Sequence, residues 1–73
     1  MKYDTAKYHY PPDATATLTV RRPNQDITVA LGQWGLWEVM DALDENGNPV
    51  ALTPKEEVDV CVRATHGEDE TGR

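Results

Sequence analysis

Cys61 and His66 are the first pair to weigh, because a thiol activated by an imidazole is a nucleophile. They stand five residues apart, a spacing that points them to different faces of a helix. No third group orients them, so Cys61 reads as a small core hydrophobe. His9 and His66 have no cysteine or carboxylate at metal-ligand spacing, whereas a zinc site needs four ligands. The stretch Asp44-Glu45-Asn46-Gly47 superficially matches a calcium loop. With Gly47 at the sixth position, however, Ala42 is first and Thr53 twelfth, which removes both essential carboxylates. Carboxylates also cluster at Glu56-Glu57 and Glu68-Asp69-Glu70, with nothing apolar around them to raise a pKa for acid–base work. There is no glycine-rich phosphate loop. The residues imply no enzyme, no metal and no cofactor.

Two segments carry binding chemistry instead. Lys2, Tyr3, Lys7, Tyr8, His9 and Tyr10 interleave basic and aromatic groups, as partner-binding surfaces do. The same tyrosines could instead fold back on a sheet. Arg21 and Arg22 are adjacent at a strand end, so they point to opposite faces and at least one is free to pair with a carboxylate or phosphate. The plainer account of that pair is a solubilising tip that blunts an edge strand.

The elements that must position these residues follow from periodicity. Ala14, Ala16, Leu18 and Val20 alternate with Thr15, Thr17, Thr19 and Arg21, a strand pattern rich in β-branched residues. Ile27, Val29 and Leu31 repeat it. Between the two runs, Pro23 and Asn24 supply turn chemistry, which makes a hairpin. Gly32 and Gly35 imply a bulge or bend before the next element. Leu36, Val39, Met40 and Leu43 have helical spacing, yet Asn46-Gly47 is a strong hairpin signal. We read residues 36–46 as a strand folding about Asn46-Gly47, with Leu43 opposite Val50 and Ala42 opposite Ala51. Thr53-Pro54-Lys55-Glu56 reads as N-cap, N1 proline and capping-box glutamate. It predicts a helix from Pro54 to His66 with Val58, Cys61, Val62 and Thr65 on one face; the competing reading sets Val58, Val60 and Val62 on a strand.

The fold class expected is α+β: a small antiparallel β-sheet of three to four strands packed on one C-terminal helix. Residues 1–13 form an irregular N-terminal arm, 14–66 a single domain and 67–73 a disordered acidic tail. The expected core is Leu18, Val20, Ile27, Val29, Leu31, Leu43, Val50, Val58 and Val62.

A chain of 73 residues has room for one small domain, which buries only ~60% of its unfolded surface. One cysteine excludes an intramolecular disulfide and suits a reducing, cytoplasmic home. Apolar runs are too short to span a bilayer, and no signal peptide opens the chain, so no membrane association is expected. The net charge of −6 is uneven. Four basic residues face three Asp in residues 1–34, giving +1, whereas three basic residues face ten acidic ones in 35–73, giving −7. Such a chain is steered away from free nucleic acid, so no autonomous nucleic-acid binding is expected and a protein partner fits better. A monomer is expected.

The hairpin, the passage from Glu45 to Glu57 that runs from turn to capped helix, and the acidic tail together resemble the small early-gene accessory proteins of tailed bacteriophages. The layout is most similar to short regulators that bind host RNA polymerase, displace the initiation factor sigma and act as antiterminators near the RNA exit channel. The resemblance implies a non-enzymatic protein acting in the host cytoplasm, whose arm and hairpin tip grip the polymerase close to nascent RNA. Two other readings compete with it. One is an inhibitor that mimics DNA through Asp41, Asp44, Glu56, Glu57 and Asp59, for example against a host defence nuclease. The other is a structural or virion protein.

Overall fold

A computed structural model describes residues 11–70 of the chain. Three strands, β1 (Ala14–Arg21), β2 (Asp26–Trp34) and β3 (Leu36–Leu43), form an antiparallel sheet in the order β1-β2-β3, and helix α1 (Pro54–Thr65) packs on one face. Among the described residues no helix is long and apolar enough to cross a membrane.

The alternation of β1 and β2 translates directly into burial. Ala16 lies opposite Leu31, Leu18 opposite Val29, and Val20 opposite Ile27. All six side chains are buried on the helix side of the sheet, while Thr15, Thr17, Thr19 and Thr28 alternate to the other. The chain reverses between β2 and β3 at Gly35 alone, whose φ of 85° is one that glycine adopts without strain.

β3 is a strand despite its helical spacing, and a β-bulge explains why. Ala30 pairs with Asp41 but the next residue, Leu31, pairs with Val39, so Met40 is the extra residue. Without it, Val39 and Ala42, three apart, would face opposite sides. With it, both are buried under α1. The bulge therefore lies on β3, and Gly32 serves a different need. A Cβ there would meet the Trp34 ring at 2.6 Å and the Met40 sulfur at 2.9 Å, so this glycine leaves room for the Trp34 indole and the Met40 side chain on the face of the sheet away from α1.

The return after β3 differs by one residue from the expected register. Leu43 bridges to Pro49, not Val50, and the Val50 N–H donates to the Ala42 carbonyl at 2.9 Å. A turn of two residues at Asn46-Gly47 would need positive φ at both. Only Gly47 has it, at 84°. The Asp44 carboxylate accepts from the N–H groups of Asn46 and Asn48, and the Asp44 carbonyl accepts from the Gly47 N–H. This makes a three-residue loop with glycine in the left-handed position.

The capping box forms as expected. The Glu56 N–H donates to Thr53 Oγ1 and the Thr53 N–H to the Glu56 carboxylate. The buried helix face does not match expectation. Val60 and Ala64 are buried, whereas Val58 and Val62 are 63% and 49% exposed. Contacts distant in sequence set this rotation: Arg22 holds Glu56, and Arg63 donates to the Thr19 carbonyl at 2.9 Å. Glu56, Val60, Arg63 and Ala64 share one side of a helix, and small Ala64 permits close approach. Leu43 and Val50 are half-buried, and Val39, Ala42, Leu52 and Ala16 complete the core.

Residues 67–70 correct another expectation, since they do not hang loose. They run beside β1, where the Glu70 N–H donates to the Thr17 carbonyl at 2.7 Å and Asp69 accepts from the Thr17 N–H at 3.0 Å. Glu70 also accepts from the Thr19 hydroxyl, and Glu68 from Arg63.

Candidate partner-binding surface

Lys2, Tyr3, Lys7, Tyr8, His9 and Tyr10 lie outside the described residues. Arg21 and Arg22 are described, and they have opposite fates, as the pleat requires. Arg22 turns toward α1 and meets Glu56 in a forked pair, Nε to Oε2 at 3.0 Å and Nη2 to Oε1 at 2.7 Å; Nη2 also donates to the Ala51 carbonyl at 3.0 Å. The guanidinium, helped by the Thr53 N–H, pulls the Glu56 carboxyl down to about 2. Arg22 is thus committed to the fold, clamping the hairpin tip to the helix start.

Arg21 is exposed and makes no ion pair among the described residues. It lines an open groove of about 600 Å³ between the end of β1 and the first turns of α1, with Lys55, Asp59, Arg63 and Glu70 among the other walls. Arg63 is held by Glu68 at 2.6 Å and by Asp59 and Glu70 more loosely, which together raise its pKa. The exposed cations of this groove that make no ion pair among the described residues are therefore Arg21 and Lys55. In the sequence, Lys55 carries no signal beyond its place just after the N1 proline. The helix brings it to Arg21 from 34 residues away.

The five carboxylates of the DNA-mimic reading sit on three different parts of the chain. Asp44 is engaged in its turn, Glu56 with Arg22, and Asp41 accepts from the Ala42 N–H at 3.0 Å. The remaining candidate nucleophile, Cys61, is half-buried and donates to the Trp37 carbonyl at 3.4 Å. Burial pushes its thiol pKa up, and Glu38 and Glu57 add to the effect. It stays a protonated, weakly nucleophilic group. Compared with known proteins, the chain matches no family model, no curated protein and no solved structure.

Proposed function

We propose that this protein acts by binding, as a phage-type regulator of host RNA polymerase that inhibits initiation by displacing sigma and promotes antitermination. The layout resemblance supplies the partner. The observation that carries the binding half of the reading is the placement of Arg21 and Lys55 on one groove: two exposed cations with no ion pair among the described residues, in a molecule of net charge −6. Long cations held this way suit an acidic patch on a protein or a phosphate of nascent RNA, each charged hydrogen bond contributing about 1.5–3 kcal/mol.

The test is titration calorimetry against purified core polymerase. Reversing both cations, Arg21→Glu with Lys55→Glu, weakens binding by about tenfold or more, because attraction becomes repulsion. Neutralising half-buried Glu57 and exposed Asp59 to Gln changes affinity little, since solvent-screened carboxylates contribute under ~1 kcal/mol each. A larger loss in the carboxylate variant would favour the DNA mimic, and no binding by the unaltered chain would end the polymerase assignment.

A further inference from the structure

The two outer edges of the sheet are not equivalent. On β1 the main-chain groups of Thr17 face away from β2 and are taken by Asp69 and Glu70, and the Thr19 carbonyl is taken by Arg63. The same alternation determines the far side. Because Thr17 points outward, Ala16 and Leu18 bond inward to Leu31 and Val29, whose main-chain groups are then turned to β1 and away from β3. Their β3 partners, Val39 and Ala42, turn N–H and C=O outward, and so does Trp37. The Ala42 carbonyl accepts from Val50 and the Trp37 carbonyl from the Cys61 thiol. No hydrogen bond among the described residues takes the N–H or C=O of Val39 or the N–H of Trp37.

The outward side of α1 lies next to this open stretch. Val58, Cys61, Val62, Thr65 and Glu57 line a shallow, largely apolar groove of about 290 Å³. Cys61 belongs to both features, lining the groove while its thiol touches the Trp37 carbonyl. Glu38 on β3 and Glu57 on α1 both bear on that thiol, so the potential over the junction is negative.

We infer that the β3 edge and the Val58–Val62 groove together form a docking site for an extended segment of another protein, with apolar side chains at alternate positions and Lys or Arg between them. An added strand satisfies the Val39 main chain, its apolar side chains on the α1 side cover Val58 and Val62, and its cations, alternating to the other face, answer Glu38. The tail already blocks the β1 edge, so β3 is where strand addition can occur. This site is separate from the Arg21–Lys55 groove and does not depend on polymerase being the partner.

The test titrates ¹⁵N-labelled protein with the synthetic peptide Lys-Val-Lys-Val-Lys, blocked at both ends, beside an acidic Glu-Val-Glu-Val-Glu peptide and a Lys-Pro-Lys-Pro-Lys peptide that retains the charge but has no N–H at its alternate positions. The basic alternating peptide shifts the amides of Trp37, Val39, Val58 and Val62 saturably, and the other two bind at least about tenfold more weakly. Val58→Ser with Val62→Ser, at exposed positions that keep the fold and with no change of charge, weakens the first peptide to a similar degree. Equal binding of the proline peptide would reduce the effect to charge attraction and overturn the proposal. So would shifts confined to other surfaces, or self-association through the same amides without peptide, which would make a second copy the occupant.

Discussion

Arg22 and Glu56 show how much one residue pair can decide. Their side chains are 26% and 21% exposed, and the carboxylate serves two donors at once, the guanidinium and the Thr53 N–H. An ordinary carboxyl pKa of 4.5 governs the unfolded chain and about 2 the folded one. The extra stability is therefore fully present above pH 4.5 and is lost as pH falls toward 2. Allowing for screening by water, it amounts to about 1–2 kcal/mol. Urea unfolding at neutral pH and at pH 2.5 should show Glu56→Gln losing that amount at neutral pH and showing a correspondingly shallower acid dependence. An unchanged acid slope in the variant would mean that the pair is not the titrating contact. Gly32 makes a second residue-scale case. Gly32→Ala puts a methyl against the outer atoms of Trp34 and Met40, side chains that can swing away, so the expected outcome is a displaced indole. A red-shifted tryptophan emission with a stability change under ~1 kcal/mol is the signature.

At the scale of elements, strand β3 and helix α1 each misled periodicity in an instructive way. In β3 the spacing of Val39 and Ala42 resembles a helix because the bulge at Met40 adds a residue. Deleting Met40 should flip one of these buried side chains outward and unfold the domain. Met40→Thr, which keeps the residue count, should cost about 1 kcal/mol or less. Circular dichroism and an amide spectrum distinguish the two. In α1 the capping box and length were legible from Thr53 to Glu56, but the buried side was not. Val58, Val60 and Val62 are equally apolar, and the choice among them rests on which way Glu56 and Arg63 are held. Val60→Ala should therefore cost about 2 kcal/mol and Val58→Ala under ~0.5, measured as shifts of the urea midpoint. Equal losses would place the helix in a different rotation.

For the whole molecule, the C-terminal segment closes the structure. Residues 68–70 join α1 to the outer edge of β1 through Thr17, Thr19 and Arg63. Truncation after Gly67 should lower stability by about 1–2 kcal/mol and leave the Thr17 main chain open for pairing. Sedimentation should then show association that grows with concentration, and a truncated chain that stays monomeric would show the edge to be protected otherwise. Local chemistry alone determined a good deal of this protein. Alternation in Ala14–Val20 and Ile27–Leu31 made the hairpin, Asn46-Gly47 placed the reversal, and Thr53-Pro54 started the helix, because each depends on neighbours within a few residues. The tertiary structure decided which arginine is held by the helix, which valines are buried, that Lys55 and Arg21 line one groove, and that residues 68–70 of the acidic tail line an edge. Those outcomes rest on contacts between residues 34 to 52 apart, where many pairings are chemically permitted and packing of the whole chain selects among them.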